Sequence, residues 1–269
     1  MKLHYQFLNR NANKSIIFLH GILGNHKNLS SIANYKSIKT DYNSYLVDLR
    51  NHGESFHTQR NRIADHAEDI IRFMDDHSLS NAHLIGHSFG AKVAIEVALK
   101  HQKRIDSLVM LDMGPYIYPR DEHLNNLTFK YITKLERINM RVSSKDMEQQ
   151  LINIADGDKV LAGFFMTNLS HHPSDGFIWK SNLHAIHRDF GEVYSHKYPE
   201  TKFPKKALEI AGKHSDFVDP KNLGIFQQFF PKMDLNKQVI FLDAGHWVHY
   251  QKPVEVGDHI VEFLAGPSN

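Results

Sequence analysis

A serine with a glycine two positions to either side, Gly86-His87-Ser88-Phe89-Gly90, carries the sharpest chemical signal in the chain. It follows the apolar run Ala82–Ile85 and opens a helical pattern, Phe89–His101. In that context a G-x-S-x-G is a strained strand-to-helix turn that exposes the serine hydroxyl as a nucleophile. The two glycines supply the small residues needed where strand and helix approach closely. The helix start beside Ser88 offers backbone N–H groups to an oxyanion. A hydroxyl nucleophile also needs a base, and imidazole has the right acidity. His246, in Asp243-Ala244-Gly245-His246-Trp247, lies just past the last apolar run. His249 competes with it, but the preceding glycine and the place at the strand exit favour His246. A third segment, His20-Gly21-Ile22-Leu23-Gly24, follows the first long apolar run. Its glycines let the backbone bend over the serine turn, so the N–H groups of Ile22 and Phe89 are expected to form an oxyanion hole.

Short apolar runs must position these groups. Ser15–Leu19, Ser44–Asp48, Ala82–Ile85, Ser107–Leu111, Lys206–Ile210 and Gln238–Leu242 are nearly continuous, as expected of strands covered on both faces. Helical patterns alternate with them: Ile63, Ala67, Ile70 and Met74; Val93, Val97 and Lys100; and a last helix with Pro253 in its first turn and Val256, Ile260 and Phe263 beyond. Such alternation predicts a parallel sheet wound on both faces, with Leu3–Leu8 as an antiparallel edge. Between Asp112 and Lys205 the interval is too long for a simple crossover by roughly 70 residues. Leu124, Leu127, Tyr131, Leu135 and Ile138 share one helical face there. Ser143 and Ser144 mark a helix start before Met147–Ile154, and Val160–Leu169 and Leu183–Phe190 are further helix candidates. The interval reads as an inserted helical subdomain.

Composition excludes several classes of function. The 269 residues hold no Cys, which removes disulfides, zinc–thiolate sites and a Cys nucleophile. Lys and Arg (32) nearly balance Asp and Glu (30), giving no reason to expect a nucleic-acid partner. No stretch is apolar enough for a transmembrane helix, and the N-terminus lacks a signal-like apolar core, so a cytoplasmic protein is expected. Among the 20 His, the pairs His171/His172 and His184/His187 lack a third ligand at recognisable spacing, so no metal site is expected.

These segments together resemble the α/β-hydrolase-fold serine hydrolases, and among them the YbfF-like esterase subfamily. The likeness rests on His20–Gly24, Asp48–Ser55, Gly86–Lys92, Leu111–Pro115, Trp179–Leu183, Gly212–Val218 and Ala244–His249, which span nearly the whole chain. It implies a mostly parallel eight-stranded sheet with helices on both faces. It also implies a core of residues 1–112 and 201–269 with a helical lid of residues 113–200. The implied reaction is hydrolysis of carboxylic esters, extending to acyl thioesters, with no cofactor. Phe164, Met166 and Trp179 of the lid are candidates to line an acyl pocket. Asp48, Arg50 and Asn51 read as a network holding their loop. The acid that orients His246 has two candidates. In most of the superfamily it stands three residues beyond a glycine such as Gly212, where this chain has Ser215, with Asp216 next to it. Some hydrolases place it instead at the end of the strand after the nucleophile, where this chain has Asp112. Asp112 is favoured, because a one-residue shift in an extended loop turns a side chain to the opposite side. Carbon–carbon bond hydrolases, peptidases and perhydrolases share such a triad. A ligand receptor on the same fold is the non-enzymatic alternative.

Overall fold

The apolar runs form one sheet because each alternates its side chains between two buried layers. The computed structural model describes residues 1–8, 10–172, 174 and 176–266, with the backbone alone at 120 and 121. In chain order the strands are β1 (Tyr5–Leu8), β2 (Lys14–Leu19), β3 (Tyr42–Val47), β4 (Ala82–His87), β5 (Ile105–Leu111), β6 (Leu169–His172), β7 (Gly176–Trp179), β8 (Ala207–Gly212) and β9 (Val239–Leu242). The helices are α1 (Ser30–Ala33), α2 (Lys36–Asp41), α3 (Ile63–Asp76), α4 (Phe89–Lys100), α5 (Leu127–Leu135), α6 (Ser144–Ile154), α7 (Lys159–Met166), α8 (Leu183–Tyr194), α9 (Gly224–Phe229), α10 (Leu235–Gln238), α11 (Val248–Gln251) and α12 (Pro253–Ala265).

The main sheet runs β1-β3-β2-β4-β5-β8-β9. Only the β1–β3 pair is antiparallel. Ile17, Leu19, Leu84, Leu108 and Met110 face a core shared with α3 and α4. Ile16, Phe18, Ile85, Val109 and Leu111 face a second core with α1, α2 and α12. The sheet therefore has its two helical layers, but among the described residues it has seven strands, not the eight implied by resemblance. Before β2 the described residues hold one strand, β1, which closes this edge of the sheet against β3.

Between β5 and β8 lie α5 to α8, with a core of their own. This segment is not wholly helical. Leu169–His172 pairs antiparallel with Gly176–Trp179, so the helix expected over Val160–Leu169 stops at Met166. The apolar face expected from Leu124 to Ile138 is buried only in part: Leu135 is inside, Tyr131 and Ile138 are half-buried, and Leu124 and Leu127 are exposed. Ser143 caps α6 through the Asp146 N–H (3.2 Å), and Asn182 caps α8 through Ala185 (3.2 Å). The segment's apolar cluster takes in Leu23 and packs against Ile22 and Trp247, so it sits on the loops that flank the serine turn. No helix among the described residues is long and apolar enough to cross a membrane.

Candidate active site

Three loops at the carboxyl end of the parallel strands converge on Ser88. The chain turns there from β4 into α4 with φ 53° and ψ −118°. That region favours glycine, and holding another residue in it costs about 1–3 kcal/mol. The Leu111 carbonyl holds the Ser88 N–H at 3.0 Å. The turn is tight enough that a Cβ on Gly86 would meet the Gly90 carbonyl at 2.5 Å, and one on Gly90 would overlap the Leu19 carbonyl.

Ser88 Oγ lies 2.8 Å from His246 Nε2. His246 Nδ1 lies 2.6 Å from Asp112 Oδ2. Asp112 follows β5 directly and also has positive φ, 53°. Its side chain is fully buried. Oδ1 accepts the Gly212 N–H (2.8 Å), and Oδ2 accepts a short hydrogen bond from Ser215 Oγ. A fully buried carboxylate needs such donors. Asp216 is exposed, and its neighbour Ser215 is the residue that turns inward. The geometry thus brings Ser88, His246 and Asp112 together and leaves Asp216 out.

The glycine loop after β2 lies on this group. A Cβ on Gly21 would stand 2.8 Å from His87 Nδ1 and 3.4 Å from Ser88 Cβ. Among the described residues neither the Ile22 nor the Phe89 N–H donates to a protein acceptor, which leaves both amides available beside Ser88. His249, the competing base, is buried against His87 with ring centroids 4.3 Å apart. Burial, and then the charge on His246, push its pKa down to about 3. That ring stays neutral and has no bond to Ser88.

Two neighbours, His87 and Phe217, were not legible as site residues. His87 Nε2 donates to the His246 carbonyl (3.0 Å), which fixes the loop carrying the imidazole. Burial, followed by the neighbouring His249 and His246, holds the His87 pKa well below its ordinary value. The Phe217 ring lies 4.2 Å from that of His246 at 31°. Phe164 reaches Trp247, next to His246, with centroids 5.7 Å apart. Met166 and Trp179 pack against the same apolar cluster as Phe164. Ring stacking of this kind is a tertiary contact; the one local signal was the aromatic residue following His246.

Asp48, Arg50 and Asn51 hold their loop through hydrogen bonds and ion pairs, none of them to Ser88 among the described residues. Arg50 Nε donates to Asp69 Oδ2 (2.5 Å), and the Asn51 carbonyl accepts the Asn182 N–H (2.9 Å), tying this loop to the start of α8. Among the described residues, His4, His26 and Asp48 are the group with metal-ligand spacing. Four donors already occupy that carboxylate: His4 Nδ1 (2.9 Å), His26 Nδ1 (2.9 Å), the His26 N–H (2.5 Å) and the Glu54 N–H (3.0 Å). Burial alone would raise the Asp48 carboxyl, but His20, these amides and His26 hold it below the usual range. The cluster reads as a hydrogen-bonded anchor. His184 and His187 both face Glu136, at 3.7 and 2.5 Å, a carboxylate that sequence spacing did not reveal.

Residues 14–253 match the family model described as alpha/beta hydrolase fold. An abhydrolase domain-containing protein of Schizosaccharomyces pombe is 29% identical over 93% of this chain and 91% of its own length. The sn-1-specific diacylglycerol lipase ABHD11 of Mus musculus is 26% identical over 98% of this chain and 86% of its own. Among solved structures, a marine microorganism esterase superposes with a TM-score of 0.89 at 27% identity, covering 98% of this chain and 99% of that one.

Proposed function

The chain belongs to the alpha/beta hydrolase fold family, and from that premise we propose that it is a serine-dependent carboxylic ester hydrolase acting through Ser88, His246 and Asp112. The observation that carries this reading is the hydrogen-bond chain from Ser88 Oγ through both His246 nitrogens to Asp112. The relatives named as a lipase and an esterase support ester substrates.

Ser88 Oγ attacks the ester carbonyl while His246 Nε2 takes its proton. Asp112 keeps the proton of the neutral ring on Nδ1 and stabilises the imidazolium once it forms. The carbonyl oxygen, now an oxyanion, accepts the Ile22 and Phe89 N–H groups. Collapse expels the alcohol, which takes the proton from His246. Water then attacks the acyl-enzyme with His246 again as base, and Ser88 is restored. An acyl thioester fits the same two steps with a thiol as leaving group.

Residues 113–200 act in this reading as a lid on a core of residues 1–112 and 201–269. The packing of its cluster on Ile22, Leu23 and Trp247 supports that role. Phe164, with Met166 and Trp179 behind it, then borders the acyl chain. These ranges run across Asn9, Pro173, Asp175 and 267–269, which lie outside the described residues.

The test is a fluorophosphonate probe followed by p-nitrophenyl esters and acyl-CoAs of increasing chain length. Labelling at Ser88 together with ester turnover is expected. A folded protein that binds esters but takes no label is a receptor, and the hydrolase reading is then wrong.

A further inference from the structure

The peptide between Gly21 and Ile22 carries one of the two amides left available beside Ser88. In a trans peptide the carbonyl points opposite to the N–H, so whatever holds the Gly21 carbonyl also aims the Ile22 N–H. Two donors hold it. The Gly24 N–H lies at 2.9 Å and closes a β-turn over residues 21–24. His20 Nδ1 lies at 2.7 Å, and because His20 Nε2 accepts the Leu49 N–H (3.0 Å), Nδ1 carries the proton. The third residue of this turn is Leu23, with φ 58°. Glycine or asparagine ordinarily stands at a left-handed third position, because a larger side chain crowds the backbone there. Leucine holds it only if the surroundings offset the strain. That offset comes from the segment between β5 and β8. Leu23 is buried in that segment's apolar cluster, whose other buried members all fall within residues 132–190. Ile22 packs against the same cluster.

We infer that Leu23 is a positioning residue that couples the lid to the oxyanion hole: its side chain, seated in the lid's apolar cluster, holds the turn in the strained form that aims the Ile22 N–H. The inference rests on the hydrolase reading above and on the lid and oxyanion hole assigned in it. Leu23 points into the lid and acts on the oxyanion only through the backbone of its own turn. With the lid seated, burial of the leucine outweighs the strain. Without that anchor, the turn relaxes toward a negative φ at Leu23, the bond from Gly24 to the Gly21 carbonyl loosens, and the Ile22 N–H loses its aim. An oxyanion donor acts on the transition state, so the loss falls on kcat and leaves KM for a short ester nearly unchanged.

The test exploits the fact that anchor and strain separate at this position. Leu23→Ala removes the anchor and keeps a Cβ. Leu23→Gly removes the anchor and the strain together. Leu23→Met keeps an apolar side chain of similar size. On p-nitrophenyl acetate, Leu23→Ala is expected to lose about tenfold in kcat, part of the roughly 10²–10³ that a whole oxyanion donor contributes. Leu23→Gly is expected to be at least about threefold faster than Leu23→Ala, although it removes more buried surface, because glycine accepts the left-handed turn. Leu23→Met is expected to lose less than Leu23→Ala. A trifluoromethyl ketone, which adds Ser88 to give a stable oxyanion, is expected to bind each variant more weakly by the same factor as its fall in kcat/KM. If Leu23→Ala or Leu23→Gly fails to fold, Leu23→Val, which resists a positive φ, and Leu23→Asn, which tolerates one, give the same contrast. Wild-type kcat in Leu23→Ala overturns the inference, as does a Leu23→Gly variant no faster than Leu23→Ala, or ketone affinity that does not follow kcat/KM. Ser88→Ala, run in parallel, separates the two levels. If Ser88→Ala retains turnover, the hydrolase reading itself falls. If Ser88→Ala is dead while Leu23→Ala is silent, only the role of Leu23 falls.

Discussion

Ser88 combines a strained backbone with an accepting imidazole 2.8 Å from its hydroxyl. Alanine fits the same backbone and space, so Ser88→Ala is expected to keep the wild-type melting temperature and lose at least about a thousandfold in kcat. Ester turnover above a hundredth of wild type, in protein shown to be folded, would refute a serine mechanism. The acid is tested by a pair of variants. Asp112→Asn keeps the shape but can hold the wrong imidazole tautomer, and is expected to cost roughly 10⁴-fold. Asp216 is exposed, and Asp216→Asn is expected to stay within about twofold of wild type. Ser88 and His246 were legible because each lies in a short segment whose glycines announce the turn that aims it. Asp112 was harder, since no local pattern marks an aspartate at a strand end as an acid. Ser215, His87 and Phe217 were invisible in their supporting roles. A hydroxyl donating across 103 residues, or a ring stacked on an imidazole, has no spacing to betray it.

At the scale of elements, the serine turn is tight because α4 passes close under β2. A Cβ on Gly90 would overlap the Leu19 carbonyl and stand 2.5 Å from that of His20. Both are backbone atoms in or next to a central strand and have little room to yield. Gly90→Ala is expected to cost about 2 kcal/mol or more, read as a fall in melting temperature of roughly 5 °C or greater. Gly163, in α7, sits in open space, and a Cβ there would meet nothing within 4 Å. Gly163→Ala is expected to be neutral or to stabilise by up to about 1 kcal/mol. A common response to the two substitutions would show that helix propensity, not crowding, governs both. In the same helix, Phe164→Ala is expected to shift the preference between short and long acyl chains more than it shifts melting temperature, measured across the p-nitrophenyl series. The strands were legible from their apolar runs, because a doubly covered sheet leaves few polar positions. The β6–β7 hairpin was not: its strands carry Ser170, His171 and His172, and they are extended through pairing with each other.

The molecule as a whole keeps several imidazoles in its interior. Burial first, then neighbouring imidazoles, push the pKa of His52 to about 3, and His249 is likewise near 3. His66 and His87 are also held well below the ordinary value. Lowered folded-state values mean that the unfolded chain binds protons more readily. Stability is therefore present above about pH 6.5 and is lost as pH falls toward the folded values, at about 1.4 kcal/mol per pH unit for each ring. At pH 5 the two rings held near 3 remove roughly 4 kcal/mol, a large share of a domain's stability, and His66 and His87 act in the same direction. Glu209 opposes this in part. Burial and then the Asp112 charge raise its carboxyl well above the usual range, so its contribution grows as pH falls. The expected outcome is a steep fall in melting temperature from pH 7.5 to 5 and acid unfolding near pH 5, followed by circular dichroism. A melting temperature flat to pH 4 would mean these rings are not held neutral. The same long-range construction governs the order in which the enzyme comes into being. Ser88 and His246 are 158 residues apart. At ribosomal speeds of about 5–20 residues per second, the proposed nucleophile is synthesised roughly 8–30 s before its proposed base. Until β9 docks beside β8 and delivers His246, the nascent chain has a serine with no proton acceptor. With the proposed triad, hydrolysis waits for β9 to deliver His246, so a nascent chain that stops short of residue 246 is expected to be silent toward esters.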